Sequence, residues 1–252
     1  MIPKKIHYCW FGYGEKSKLM EKCIASWRKY FPDYEIIEWN ESNFDIDQND
    51  YCKEAYESKK WAFVSDYARL KIVYDEGGIY FDTDVEVLKN FSDLITDYGY
   101  LCFENTTNDV DKKEVNTGLG FAAEAGSTVI KKILDDYENI HFINDGEMDL
   151  IPCPVRNTKA LQEIGLIQDG KCQILNDIKV YPFEYFCGYD IANSHPVITD
   201  NTYTVHHYAG TWKDEGSLIV KIKYKIIVPI LQKILGYDRY DQLIRLKDKR
   251  KG

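Results

Sequence analysis

The chain reads as an α/β protein. Short apolar strand-like runs alternate with helical stretches over the first 212 residues. The stretch 61–75, WAFVSDYARLKIVYD, carries Val64, Tyr67, Ala68, Ile72 and Tyr74 as an apolar helical stripe, and Gly77-Gly78 follows as a helix stop. A buried strand-like run, Ile79-Tyr80-Phe81, comes directly after the glycines and leads into Asp82-Thr83-Asp84. At 252 residues the chain is long enough for one large domain with a substantial core.

In order along the chain, strands are predicted at 5–8, 35–39, 79–81, 85–87, 100–103, 118–123, 180–181 and 203–207, each a short apolar or alternating run. Helices are predicted at 17–30, 51–58, 61–74, 128–138 and 158–164. Loops rich in Asn and Asp fall at 40–50, 105–111 and 144–149. There is no repeat and no low-complexity stretch. No linker divides residues 1–212, read as one domain, and 213–252 is read as a basic helical tail. Its first part, Ile219 to Ile227, alternates apolar residues with lysine, and Pro229 interrupts any single long helix there.

Composition excludes several classes. No run of about 18 apolar residues is present, so a membrane-spanning helix is not expected. Met1-Ile2-Pro3-Lys4-Lys5 has no apolar segment behind it, so no secretory signal is expected and a cytoplasmic location is. The seven cysteines are scattered, without a C-x-x-C pair, and predict neither a disulfide framework nor a zinc site. Residues 213–252 hold 11 Lys/Arg against 5 Asp/Glu, a net of +6. With the whole chain at −9, residues 1–212 carry −15, a poor surface for nucleic acid.

The most informative segment is GGIYFDTDVEVL, residues 77–88. In extended backbone, residues i and i+2 point to one side, so Asp82 and Asp84 are predicted to face one site at a strand end. Two adjacent carboxylates are costly unless a cation neutralises them. Such oxygen ligands suit Mg²⁺ or Mn²⁺, ions that often carry substrate phosphates. A D-x-D alone is weak in a chain with 41 acidic residues; its setting strengthens it. Asp66 and Arg69, at i and i+3, share one face of the preceding helix. His206 and His207 follow a strand-like Tyr203-Thr204-Val205 and point to opposite faces, so only one can join the carboxylates.

Together these residues resemble glycosyltransferase family 32, which includes capsular polysaccharide glycosyltransferases and yeast initiating mannosyltransferases. A similar core occurs in the clostridial glucosylating toxins. The resemblance rests on Ser65-Asp66-Tyr67-Ala68-Arg69, Gly77-Gly78-Ile79-Tyr80 and Asp82-Thr83-Asp84. It extends to the opening run from Ile2 to Gly12, to Ser26-Trp27, and to the closing run from Val205 to Trp212. It implies the GT-A fold, a Rossmann-like mixed sheet flanked by helices, with the nucleotide at the carboxyl ends of the parallel strands.

The resemblance also implies roles. Asp84 is the direct metal ligand, with Asp82 on the ribose or on the metal through water. The third ligand is His207, because His207-Tyr208-Ala209-Gly210 resembles an H-x-x-G metal element, with His206 as the alternative. Mn²⁺, or Mg²⁺, is the expected cofactor. Asp66 and Arg69 bind the donor sugar and its diphosphate. Trp10 offers a flat face to the nucleobase. Tyr80 lies near the nucleoside with Ala62 beside it, Asn116 of Asn116-Thr117-Gly118 contacts the donor sugar, and Trp212 closes over the diphosphate. The implied reaction is transfer, with retention, of a sugar from a nucleoside diphosphate sugar, expected to be a UDP-sugar, to a hydroxyl of a glycan or lipid-linked glycan. No carboxylate nucleophile is evident, which fits a front-face mechanism.

The sequence departs from the family at Pro152-Cys153-Pro154-Val155-Arg156, where members often carry a Gly-Pro element, and at 252 residues it is much shorter than the toxins, so their delivery domains are not expected. Two other readings stand beside the first: a protein-modifying glycosyltransferase, and a nucleotide-sugar-binding protein without activity. A nucleotidyltransferase is disfavoured because Trp10-Phe11-Gly12-Tyr13-Gly14 carries no cation. The basic tail is read either as packing or as a peripheral contact with anionic lipid.

Overall fold

In the computed structural model, residues 1–193 and 195–209 are described, and Met1–Ala209 form one compact unit. The predicted boundary at 212, Trp212 itself and the tail 213–252 lie outside the described residues. The elements run β1 (Lys5–Cys9), α1 (Lys18–Tyr30), β2 (Glu35–Trp39), α2 (Asp50–Glu57), α3 (Trp61–Glu76), β3 (Gly78–Tyr80) and β4 (Val85–Val87). They continue with β5 (Gly99–Glu104), β6 (Glu114–Val115), β7 (Phe121–Ala123), α4 (Thr128–Asp135), β8 (Ile143–Asn144), β9 (Glu147–Met148) and α5 (Cys153–Gln162). Last come β10 (Gln173–Leu175), β11 (Ile178–Tyr181), α6 (Phe183–Phe186), β12 (Tyr189–Asp190), β13 (His195–Pro196) and β14 (Thr204–His206).

The main sheet has the order β10-β11-β5-β7-β3-β1-β2, with β6 added on β5. Pairing is parallel for β1 with β2 and β3 and for β11 with β5; β7 runs antiparallel between β3 and β5. The fold is therefore mixed α/β, as the alternation predicts, with helices packed on the sheet.

Two apolar clusters cover the sheet. One gathers α2, α3, α4 and α5 through residues such as Tyr51, Phe63, Leu70, Ile133 and Leu161. The other holds α1 through Met20, Cys23, Ile24 and Trp27. Ser17 caps α1 by accepting the Met20 N–H at 3.2 Å, which leaves the helix's apolar face to the core. Trp27 donates its indole N–H to the Val85 carbonyl at 2.8 Å, tying α1 to the segment after the carboxylates.

α3 departs from a simple stripe. Nine of its residues are buried, among them Asp66 and Arg69, so it is a central helix rather than a surface one. It ends at Gly77, whose φ of 64° is the left-handed region open to glycine. Gly78 follows with φ 109°, and a Cβ there would lie 2.9 Å from the Lys5 carbonyl oxygen. The double glycine thus allows the helix to turn directly into β3 against β1. All seven cysteines are free; six are buried and Cys172 is exposed. No helix among the described residues is long and apolar enough to cross a membrane.

Candidate active site

The carboxylates converge by a turn rather than by strand alternation. β3 ends at Tyr80, and the Val85 N–H closes back on the Asp82 carbonyl at 3.0 Å. Asp82, Thr83 and Asp84 form this turn between β3 and β4. β14 then pairs antiparallel with β4, setting His206 opposite Val85. The register delivers His206 Nε2 to 3.1 Å from Asp84 Oδ1. One ligand atom each from Asp82, Asp84 and His206 lie within 4.8 Å of one another.

His206 is therefore the histidine brought to the carboxylates. His207 points the other way, as opposite faces require, and its Nε2 lies 2.8 Å from Glu86 Oε2, which Lys22 also holds at 2.7 Å. The expectation that placed His207 in the metal set gives way to its alternative, because strand pairing fixes which face β14 turns inward. Asp84 is further held by the Ala209 N–H on Oδ2 at 2.8 Å.

Protonation follows from these contacts. Burial works to raise the Asp84 carboxyl, but the His206 charge, its hydrogen bond and the Ala209 N–H outweigh it and bring the pKa down to about 2. Burial opposes the His206 charge, yet Asp84 lifts its pKa above the usual value. Asp82 is raised, first by burial, with Arg69 opposing and Asp84 adding to the shift.

A divalent ion fits here. Two carboxylate oxygens and an imidazole nitrogen suit Mn²⁺, or Mg²⁺ with water ligands. His206 Nδ1 is buried without a hydrogen-bond partner among the described residues. That ring is thus oriented by its Nε2 contact, by β14 and by the edge-on Tyr208 ring at 4.1 Å.

Arg69 lies behind the carboxylates. Its side chain is 4 % exposed, its Nη2 pairs with Asp66 Oδ1, and its Nη1 lies 3.3 Å from both oxygens of Asp82. Its Nε donates to the Ser65 carbonyl at 3.0 Å. The guanidinium is engaged by two carboxylates, whose charges it compensates. Tyr80 likewise does not present its ring. It is 1 % exposed, and its hydroxyl donates to Asp82 Oδ1 at 2.9 Å.

Trp10 stands just after β1, half-buried, its indole N–H on the Gly14 carbonyl at 2.8 Å. Ala62 is half-buried in the first turn of α3. Asn116 caps a short 3₁₀ turn, Thr117–Leu119, by accepting the Gly118 N–H at 2.7 Å. That turn presses on the site: a Cβ at Gly118 would sit 2.8 Å from Asp82 Oδ2 and 3.1 Å from Arg69 Nη1. Asn116, Asp82 and Arg69 thus share one small region.

Two further residues belong to it. Glu104, at the end of β5, is buried and accepts the Asn116 Nδ2 donor at 2.6 Å. Burial pushes its pKa up to about 7 against that hydrogen bond. Cys153, first residue of α5, places its sulfur 3.6 Å from Asn116 Oδ1. The signal for Glu104 was a charge closing the apolar run Tyr100-Leu101-Cys102-Phe103; Cys153 gave none, since its neighbourhood depends on the approach of α5.

Residues 17–101 match the family model described as glycosyltransferase sugar-binding region containing DXD motif. The match covers about a third of the chain and includes Asp66, Arg69, Asp82 and Asp84. Over that segment the chain is similar to the sugar-binding region of glycosyltransferases. It is 25 % identical over 174 residues to the subversion of eukaryotic traffic protein A of Legionella pneumophila, covering 57 % of this chain and 26 % of that protein. The match therefore spans about a quarter of the relative's length. Among solved structures, the PaToxG glycosyltransferase is similar with a TM-score of 0.47 and 20 % identity, over 65 % of this chain and 70 % of that one. A glycosyltransferase involved in glycosylation of the major capsid of PBCV-1 follows at 0.43 and 13 % identity, over 80 % and 92 %.

Proposed function

We propose that this chain is a metal-dependent, retaining glycosyltransferase of the family 32 type, moving a sugar from a nucleoside diphosphate sugar to an acceptor hydroxyl. The observation that carries the reading is the meeting of Asp82, Asp84 and His206 beside the Asp66–Arg69 pair, with all but His206 inside the matched sugar-binding region. Three carboxylates, Asp66, Asp82 and Asp84, outnumber the Arg69 guanidinium and the His206 imidazolium, an arrangement that repels a diphosphate. Asp82, Asp84 and His206 would hold Mn²⁺ or Mg²⁺, which supplies Lewis-acid stabilisation of the leaving diphosphate.

The chain's own residues do the rest. Arg69 and the Tyr80 hydroxyl fix Asp82, and the Ala209 N–H fixes Asp84, so both carboxylates are oriented before substrate arrives. In this reading Trp10 supplies a flat face for the nucleobase, and Asn116, beside Asp82 and Arg69, contacts the donor sugar. A UDP-sugar is the proposed donor, and Trp212 the proposed cover. Purified chain incubated with nucleotide sugars and Mn²⁺ should release nucleoside diphosphate, and EDTA should stop it. Release that is equal in EDTA rejects the metal-dependent reading.

The proposed acceptor is a cell-surface or capsular glycan intermediate, met by a cytoplasmic enzyme at the inner face of the membrane. The net +6 of residues 213–252 supports this, since each well-placed cation near anionic lipid is worth about 1 kcal/mol. The full chain should co-sediment with anionic but not neutral vesicles at low salt; equal sedimentation with both, or with neither, removes the membrane contact. A second reading is a polypeptide acceptor, as for a protein-modifying glycosyltransferase. Label from a radioactive donor that appears in protease-sensitive bands of a cell lysate, and not in glycan, selects the second reading.

A further inference from the structure

β5 is buried along its whole length and ends in Glu104, which is 5 % exposed. A carboxyl in that position is costly unless its oxygens are engaged. No ion pair to it is seen among the described residues: Lys113, just before β6, is turned to Asn105 and the Thr107 carbonyl, and His206 acts on it only through space. The contacts of Glu104 are instead two donors on one oxygen. Asn116 Nδ2 lies 2.6 Å from Oε2, and the Tyr208 hydroxyl lies 3.5 Å from the same atom.

The Asn116 contact settles the direction of its carboxamide. With Nδ2 on Glu104, Oδ1 faces the Gly118 N–H at 2.7 Å. A flipped amide would set its NH₂ against that N–H, donor against donor. The turn so fixed is the one pressed onto Asp82 and Arg69. Tyr208 carries the other half. It has a φ of 47°, its ring stands edge-on to His206, and its hydroxyl also meets Cys187 Sγ at 3.1 Å. The next residue, Ala209, donates to Asp84. One carboxyl therefore touches two segments far apart in sequence, 116–118 and 206–209, that flank the paired aspartates.

We propose that Glu104 is a positioning residue of the transfer site, orienting the Asn116 carboxamide directly and the His206–Ala209 segment through Tyr208. The role as a part of donor binding rests on the glycosyltransferase reading; the Glu104–Asn116 contact does not. Burial pushes the Glu104 pKa up to about 7, so a glutamine, whose carbonyl can still accept from Asn116, is a close substitute for its neutral form.

The test uses the full chain with Glu104→Gln and Glu104→Met; methionine fills the volume without an oxygen acceptor. The first readout is the Asn116 side-chain NH₂ pair in ¹H–¹⁵N spectra, assigned by its loss in Asn116→Asp. It should move clearly in Glu104→Met and little in Glu104→Gln. The second is Mn²⁺-dependent turnover of a nucleotide sugar found active with the unaltered chain. Glu104→Met should lose on the order of 30- to 100-fold in kcat with a smaller change in donor KM, as misplacement of a binding group does, and Glu104→Gln should recover most of it. An unmoved Asn116 resonance in Glu104→Met overturns the proposal. So does a Glu104→Gln variant as slow as Glu104→Met, which would demand the carboxylate itself. If Glu104→Met does not fold, the resonance and rate of Glu104→Gln still decide. An unaltered chain that turns over no nucleotide sugar rejects the functional reading instead, and the resonance alone then judges the contact.

Discussion

Arg69 is the residue on which the charge balance of the site depends. It is almost fully buried and touches both Asp66 and Asp82. Removing one partner from a buried charge set costs about 3–5 kcal/mol, because the remaining charges lose their compensation inside the protein. Arg69→Met should therefore lower folding stability by roughly that amount in urea unfolding, and not only slow catalysis. A loss below about 1 kcal/mol would show that Arg69 is not the centre of the charge balance and favour the diphosphate-binding role that the resemblance implies. The two histidines give a second residue-scale test. His206 stands at Asp84 and His207 at Glu86. His206→Ala should weaken Mn²⁺ binding at least tenfold, the effect of losing a ligand, whereas His207→Ala should leave it within about threefold. The reverse order, measured by calorimetry or Mn²⁺ relaxation, would show that β14 is set one residue out of register.

At the scale of elements, His7 joins three pieces of the sheet region. Its Nδ1 accepts the Trp39 indole N–H at 3.0 Å, from the end of β2, and its Nε2 donates to the Gly77 carbonyl at 2.8 Å, at the end of α3. Burial lowers its pKa to about 4 from 6.5. The folded state thus refuses a proton that the unfolded chain accepts. Stability from this group is complete above pH 6.5 and is lost as pH falls towards 4, a swing of about 3 kcal/mol at 1.36 kcal/mol per pKa unit. His7→Gln should be less stable at pH 7.5 but lose less on acidification to pH 4.5 than the unaltered chain, in urea unfolding at both pH values. Parallel losses would show that His7 does not carry the pH term. The elements around it show what sequence reveals. Strands with a local signature, such as the apolar-centred Glu35–Trp39 and the alternating Val85–Val87, lie where the sequence predicts them. α5 begins at Cys153, five residues before the expected 158, because Pro154 fits a helix's first turn and does not break it. The run expected as one strand at 118–123 splits into a 3₁₀ turn and β7, since Gly120, with φ 95°, changes the backbone course. The two-residue strands β6, β8 and β9 exist only through their partners, so no periodicity marks them.

For the whole molecule, the site was legible where chemistry lies within one short segment and obscure where distant segments meet. Asp66, Arg69, Asp82 and Asp84 sit within 19 residues of one another in sequence and converge in space. The choice between His206 and His207 needed the pairing of β14 with β4, a contact across more than a hundred residues. Glu104 needed the closure of β5, β6 and the 3₁₀ turn. A consequence at the same scale concerns folding and the ion together. The metal set combines residues 82 and 84 with residue 206, so an ion bound there joins the centre of the chain to the end of the described unit. A ligand that binds only the folded state stabilises it by RT ln(1 + [L]/Kd), about 2.7 kcal/mol at one hundred times Kd. For a chain of this size that corresponds to a rise in Tm of roughly 5–10 °C. A net charge of −9 also attracts divalent ions loosely over the surface, so the rise alone does not locate the ion. Asp84→Asn separates the two effects. It keeps the side-chain shape and can still accept from the Ala209 N–H, but it removes the charge that holds His206 and the ion. The unaltered chain should gain several degrees from Mn²⁺ in differential scanning calorimetry, and Asp84→Asn should gain little. Equal gains in both would mean that the ion stabilises the protein from elsewhere on its acidic surface.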